Sequence, residues 1–402
     1  MTIRVQAEEV LRGVYRSMRG HLLQRLIIKS RHAFNPRRPV EIVGYLSMVA
    51  GVGESARLCA VALSQAGREI MLADVSTHPD ESKLVEWAPA LASGSQPGSR
   101  IWHLNPPMLP RAILKMGLGN FTRAFNIGYW AWELEVVPAE WRNAMHYMNA
   151  VFVPSEFTRR AIAPLTSAPV IVVPHPVTER PVAEDIRQKF GIADDAFLVS
   201  FIFSAGSSIN RKNPRAAIEA FRLFGAECPD AFLLMKASGN PARDEALRTL
   251  MQSVEGDPKI RIVTDNLASL EINGIIRDSD AYLSLHRSEG FGLTVAEAIM
   301  YRTPVVSTGW SGTADFCDPA NTWLVEPSLI PVVDDHPEFA GLKDAVWADP
   351  SPVAAAAHLK SIYSDPDAAK QKAEGARDYL VRHLAEHSYD KALSRLSAMQ
   401  AS

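Results

Sequence analysis

The chain has 402 residues, too many for one ordinary hydrophobic core, so two domains are expected. A net charge of −3 argues against a general nucleic-acid binder, and no apolar run reaches the ~18–20 residues that a membrane span needs. Three cysteines, Cys59, Cys228 and Cys317, are odd in number and far apart, so they form neither a metal-ligand spacing nor a disulfide framework; a reducing compartment, the cytoplasm, is expected.

Residues 1–38 differ from the rest. They hold nine Lys/Arg against Glu8 and Glu9, and Val10, Leu11, Val14, Met18, Leu22 and Leu26 recur at helical spacing. A basic amphipathic helix can lie on an anionic membrane surface, peripheral on the inner face of the cytoplasmic membrane. It can also pack on the globular body or remain a solvated arm, and the pattern leaves these readings open.

From Val40 strands and helices alternate. Strands are expected at residues 41–46, 69–75, 101–105, 125–130, 150–153 and 169–173, with helices at 54–65, 108–117, 138–148 and 156–163 between them. Residues 177–194 are polar and irregular and read as a hinge. A second series follows, with strands at 196–203, 231–236, 260–263, 281–286 and 304–308. Its helices are expected at 214–226, 243–254, 267–277 and 293–300. Residues 331–349 read as a less regular insertion, and 352–363 and 368–399 as helices, the last long enough to pack across both domains. This is an α/β chain of two doubly wound halves facing a cleft: an arm at 1–38, domains at 39–180 and 181–366, and a C-terminal helix at 367–402 crossing back.

Residues 281–316 organise the second half. A buried strand passes through Arg287, Ser288 and Glu289 to Gly290 and Gly292 and then into a helix. Free N–H groups and the positive dipole end at such a helix start make an anion site, and glycine lets a phosphate approach the backbone. Glu289 and Glu297, eight residues apart, bracket it. Gly51 and Gly53 take the matching place in the first half, and in doubly wound sheets ligands sit at the carboxyl ends of strands. Gly51-x-Gly53-x-x-Ala56 with Asp74 also fits a dinucleotide fingerprint, although the loop from Ser47 to Gly51 is longer than that tight turn.

The run HRSEGFGLTVAEAI at residues 286–299 resembles the donor-binding signature of retaining GT-B glycosyltransferases of family 4. The blocks GYWAWEL (128–134), VPSEF (153–157), VPHPV (173–177), RKNP (211–214) and WSGTADF (310–316) resemble a bacterial polysaccharide-building branch, and the likeness spans roughly residues 40–395. The resemblance implies that Glu289 bonds hydroxyls of the donor sugar and that Glu297 holds the ribose hydroxyls. It further implies that Ser288 and the backbone at Gly290, Phe291, Gly292 and Leu293 face the sugar and diphosphate. Gly51 and Gly53 match the glycine loop that approaches the diphosphate. Lys212 falls where the family places a diphosphate-binding lysine. The usual arginine five or six residues earlier is replaced by Gly206 and Ser207, and Arg211 stands beside the lysine instead. By region, His103 is implied as a catalytic contact to the donor sugar. Asn105, Glu133 and Trp132 are candidates for the acceptor; the Trp130 and Trp132 rings suit stacking on sugar faces and, no less, packing in a core.

Two cations on the leaving diphosphate would make a metal dispensable, so no metal and no cofactor are expected. Asp278-Ser279-Asp280 resembles the metal-binding motif of the other glycosyltransferase fold and reads as helix-terminal punctuation. The function implied is a retaining, metal-independent transfer of a hexose, mannose by branch, from a GDP- or UDP-linked nucleotide-sugar. The donor would bind mainly the C-terminal domain, and a glycan or lipid-linked acceptor mainly the N-terminal one. An NAD-type enzyme at Gly51–Ala56, a nucleotide-sugar epimerase or hydrolase, and a non-catalytic sugar-binding protein stay open as alternatives.

Overall fold

The structure, a computed structural model, describes residues 27–48, 51–76, 88–89, 91–92, 96–339 and 341–401. The amphipathic pattern of the basic arm lies, up to residue 26, outside the described residues. The chain divides into two compact units. The first comprises Met1–Ala131, Val137–Pro176 and His387–Ser402; the second comprises Trp132–Val136 and Val177–Glu386.

In the first unit β1 (Val40–Gly44), α1 (Gly51–Gln65), β2 (Ile70–Asp74) and β3 (Ser99–Trp102) are followed by α2 (Leu109–Met116) and α3 (Leu118–Thr122). Then come β4 (Phe125–Tyr129), α4 (Trp141–Met145), β5 (Ala150–Val153), α5 (Glu156–Ile162) and β6 (Val170–Val172). The six strands are parallel in the order β2-β1-β3-β4-β5-β6. Strands buried on both faces read as near-continuous apolar runs, and Ile42, Ile101, Ile127 and Phe152 join Cys59 and Leu63 of α1 in one core. Glu41 interrupts the apolar run of β1. Arg100, its register partner on β3, binds its carboxylate and also donates to the Asn120 carbonyl at 2.5 Å. The buried charge is thus paired within the sheet.

The second unit holds α6 (Ile186–Lys189), β7 (Phe197–Ser204), α7 (Ile209–Lys212), α8 (Pro214–Gly225), β8 (Ala231–Ser238), α9 (Glu245–Gln252) and β9 (Ile260–Val263). It continues through α10 (Ser269–Arg277), β10 (Ala281–Ser284), α11 (Leu293–Met300), β11 (Val305–Thr308) and β12 (Trp323–Val325). It closes with β13 (Pro327–Pro331), β14 (Val346–Pro350), α12 (Pro352–Ser364) and α13 (Pro366–Glu386); α14 (Tyr389–Ala401) follows in the first unit. Its parallel sheet runs β12-β11-β10-β7-β8-β9. The chain builds outward from β7 through β8 and β9, then returns to start again at β10. The carboxyl ends of β7 and β10 therefore flank a topological switch point, where doubly wound sheets bind ligands.

Four expectations are corrected. The helix expected over 138–148 is confined to Trp141–Met145. The irregular insertion is framed by an antiparallel hairpin, β13 against β14, in register from Pro327↔Pro350 to Pro331↔Val346. The polar hinge carries α6 and belongs to the second unit. The single helix over 368–399 is two helices. The break falls at His387-Ser388, where Ser388 caps α14 by accepting from Lys391 N at 3.4 Å, a hydroxyl doing what mid-helix backbone would otherwise do. One helix lies in each unit. Among the described residues no helix is long and apolar enough to cross a membrane.

Candidate active site

Two turns at the switch point build the site. After β7 the chain makes a 3-10 turn at Ala205–Ser207 and enters Ser208, whose φ is +66°. Ser208 Oγ accepts from Arg211 N at 3.1 Å and so starts α7, and its hydroxyl also contacts the carboxylate of Asp334. Asn213, at φ +52°, ends the turn and fastens it to the neighbouring strand end by donating to the Leu285 carbonyl at 3.0 Å. The turn after β10 is tied to the first where Arg287 N donates to the Arg211 carbonyl at 2.8 Å. Glu289 N donates to Ser311 Oγ at 2.9 Å, and Ser311 itself has φ +71°. Gly292, at φ +92°, delivers the chain into α11; a Cβ there would lie 2.4 Å from Thr313 Cγ2. Three non-glycine residues held left-handed around one pair of turns store backbone strain, which concentrates at functional sites. No sequence pattern marks them.

The two turns bring charged groups together. Lys212 Nζ donates to Glu289 Oε1 at 2.5 Å, Arg211 Nη1 lies 3.4 Å from the same oxygen, and His286 Nε2 lies 3.6 Å from it. Burial pushes the Glu289 carboxyl up, but the Lys212 ammonium and the Arg211 guanidinium outweigh it and hold the group at about 2. Burial lowers Lys212, with Arg211 beside it acting the same way and Glu289 opposing both. Burial brings His286 down to about 3, so its ring is neutral; it stacks on Phe201 at 5.1 Å, and its Nδ1 meets Ser284 Oγ at 2.7 Å. Arg211 is only 3 % exposed. It donates to the Ser288 carbonyl at 2.7 Å and reaches Glu133 Oε1 at 3.7 Å, so its guanidinium is committed to holding the turn together as well as facing Glu289.

Glu133 comes from the five-residue segment Trp132–Val136, which lies in the chain between β4 and α4 yet belongs to the second unit. Its backbone carbonyl accepts from the Ser288 hydroxyl. Burial raises its carboxyl, with Arg211 opposing and the Glu338 and Glu289 carboxylates adding to the rise. Trp132 is 1 % exposed, donates its indole N–H to the Val136 carbonyl at 3.0 Å and packs on Phe339 at 5.9 Å. Its ring, like that of the fully buried Trp130, therefore packs in a core and has no face open for stacking on a sugar. The hairpin insertion takes part too, since His336 Nε2 meets the Gly206 carbonyl at 3.2 Å. The WAWEL block drew attention to Glu133, but nothing in the sequence places it beside Arg211.

Of the signature residues, Ser288 and Phe291 are buried, and the Phe291 ring packs on Phe316 at 5.1 Å, which leaves its backbone for any ligand role. Leu293 begins α11, and Glu297 lies in its second turn, within electrostatic reach of the Tyr282 hydroxyl. Gly290 backs onto the Trp132 backbone, where a Cβ would stand 3.2 Å from the Trp132 carbonyl oxygen.

The first unit holds the other candidates at its own switch point, between β1 and β3. Gly51 and Gly53 open α1. A Cβ at Gly53 would lie 2.6 Å from both the Tyr45 and the Met48 carbonyl oxygens, so the loop's own closure already demands glycine there. His103 is 2 % exposed, meets Ser55 Oγ through Nδ1 at 2.8 Å and stacks on Tyr129 at 4.6 Å. Burial, with His175 adding to it, keeps its imidazole well below the usual range and neutral. Asn105 accepts from Ala131 N at 3.2 Å. Asp74 accepts from Ser47 N at 3.2 Å and Ser76 N at 2.9 Å, so the carboxylate that a dinucleotide ribose would use is tied to the loop.

Asp280 accepts from Leu198 N at 2.8 Å and Arg187 Nη2 at 2.9 Å, and Asp278 from Arg277 Nε at 2.7 Å. The DSD triplet is used structurally. Among the described residues no group of three His, Cys, Asp or Glu side chains is placed to hold a metal ion.

Residues 155–396, more than half of the chain and including both turns, match the model of a family described as Family 4 Glycosyltransferase in conflict systems. The chain belongs to this glycosyltransferase family. No curated relative matches the sequence. The GT-B fold is similar to that of Anabaena HepE, solved with UDP and glucose, at a TM-score of 0.64 and 12% identity over 91% of this chain and 100% of that one. It is similar to sucrose-phosphate synthase from Thermosynechococcus elongatus, at 0.61 and 14% over 91% and 98%, and to a Rickettsia africae glycosyltransferase, at 0.60 and 15% over 90% and 98%.

Proposed function

We propose that this glycosyltransferase moves a hexose, mannose in the first instance, from a GDP- or UDP-linked donor to a glycan or lipid-linked acceptor in polysaccharide synthesis. Transfer proceeds with retention of configuration and without a metal. The observation that supports this reading is the convergence of Lys212, Arg211 and Glu289 beside the start of α11. HepE, whose structure holds UDP and glucose, keeps a UDP-linked donor beside the GDP-linked one.

In this reading the diphosphate takes the Lys212 ammonium from Glu289, and the amides at the start of α11 add to the same anion. The freed Glu289 carboxylate, acceptor-only when ionised, bonds hydroxyls of the donor sugar. Glu297 does the same for the ribose. The bond from the anomeric carbon to the diphosphate oxygen breaks while the acceptor oxygen attacks from the same face. The departing phosphate takes the acceptor's proton, so the cations neutralise charge where it develops. Thermal-shift titration with GDP-mannose and UDP-glucose, repeated on Lys212→Ala and Glu289→Ala, tests the reading. Stabilisation by one donor, lost in Lys212→Ala, together with loss of transfer in both variants, is expected. Full activity in both variants would overturn the assignment.

A further inference from the structure

The amino ends of β1, β3 and β4, the edge of the first unit's sheet opposite Gly53 and His103, carry a feature that glycosyl transfer does not use. A cavity of about 640 Å³ opens there, lined by His32, Arg37, Arg38 and Arg123 together with Phe34 and Gly98. Among the described residues no carboxylate lines it. Arg37, Arg38 and Arg123 are exposed, and among the described residues none of their guanidinium groups has an acidic partner within salt-bridge distance. The neighbouring arginines are different: Arg68 is taken by Asp390 at 2.7 Å, and Arg100 by Glu41. Lys29 and Arg31 stand just upstream, and no acid occurs between residues 27 and 38, in a chain whose net charge is −3.

The strap that forms the wall is held in place. Ser30 Oγ donates to the Thr122 carbonyl at 2.9 Å, Asn149 Nδ2 donates to the Ser30 carbonyl at 2.9 Å, and Phe34 N donates to Gln400 Oε1 at 2.9 Å. The buried Phe34 ring meets Phe125 edge-on at 5.8 Å. Arg37 and Arg38 of this anchored strap and Arg123 after α3 thus line one concave surface, where among the described residues no carboxylate neutralises them. Planar guanidinium forks match phosphoryl oxygens in pairs, and the volume is of the size that holds a small ligand.

We propose that this cavity binds a phosphoryl anion, either the headgroup of an anionic phospholipid or a soluble diphosphate, at a site separate from the glycosyl-transfer centre. The test uses the full-length protein and the double variant Arg38→Glu/Arg123→Glu, with Arg38→Gln/Arg123→Gln as a milder second variant. Two probes separate the sources: sedimentation with phosphatidylglycerol-containing vesicles against phosphatidylcholine vesicles, and calorimetric titration with inorganic pyrophosphate. Charge reversal is expected to weaken binding at least tenfold, since each cation near an anionic surface contributes severalfold. The glutamine variant is expected to weaken it less, and the donor-induced thermal shift is expected to be unchanged. An effect on vesicles alone identifies the lipid headgroup, and an effect on pyrophosphate alone identifies the soluble anion; either supports the site. If charge reversal leaves both probes at wild-type affinity, with the fold intact by circular dichroism, the assignment is overturned.

Discussion

Replacing Glu289 by Gln tests the charge cluster most directly. The carboxyl is held at about 2 against an ordinary 4.5, which corresponds to about 3 kcal/mol of native-state stability at neutral pH. The substitution keeps the shape and removes the charge, leaving the buried Arg211 with Glu133 at 3.7 Å and the field of Glu338, and Lys212 with the field of Glu133. Stranding buried cations costs about 3–5 kcal/mol in comparable pairs, so two independent routes give the same scale. For a unit of this size about 3 kcal/mol lowers the melting temperature by roughly 6–12 °C. Pyrophosphate returns an anion to the stranded cations, so at saturation it should raise the melting temperature of Glu289→Gln more than that of the wild type. Differential scanning calorimetry of both proteins, with and without pyrophosphate, measures both quantities. Melting within a degree of wild type, or equal stabilisation of both proteins by pyrophosphate, would refute the picture of Glu289 as the resident counter-ion.

Other outcomes follow from neighbouring residues. His286 is held down to about 3 from 6.5, so the unfolded chain takes up its proton first as pH falls; its contribution is complete above pH 6.5 and is lost as pH drops towards 3. His286→Gln should therefore flatten the acid limb of the stability curve by about 1.4 kcal/mol per pH unit over that window, measured by urea denaturation. Asn213 has φ +52° and bonds the Leu285 carbonyl, so Asn213→Ala should cost about 2–3 kcal/mol, while Asn213→Gly, which keeps the backbone at ease, should cost about 1 kcal/mol. Glu41→Leu strands Arg100 in the first sheet and should cost about 3–5 kcal/mol, whereas Glu41→Leu/Arg100→Met should lie close to wild type in equilibrium denaturation.

Much of this protein is local enough to be determined by its sequence alone. Apolar runs of strand length between helical patterns specify two parallel sheets, because a strand buried on both faces has little choice of composition. The glycine pair at 290 and 292 announces the turn from strand to helix, because only glycine takes the φ of +92° at Gly292 without strain. Glu289 was legible beside that glycine pair, in the turn after an apolar strand, and Lys212 through the resemblance of RKNP at 211–214 to the family's diphosphate-binding position.

What the chain did not reveal locally is what depends on distant partners. The 331–349 insertion becomes a hairpin by pairing β13 with β14 across a long loop, and weak alternation gives no hint of it. One helix becomes two because Ser388 caps a new start, a hydroxyl contact that helical periodicity overrides on paper. Sequence left Trp132 open to a sugar face or a core, and its packing on Phe339 decides for the core. Glu133 stands 78 residues before Arg211 in the numbering, and the second unit brings its carboxylate within 3.7 Å of that guanidinium. Sequence thus determined which residues could carry charge at the ends of strands. Tertiary structure alone decided which of those charges meet, because Coulomb energy depends on separation in space and on the dielectric that burial creates, and neither is written along the chain.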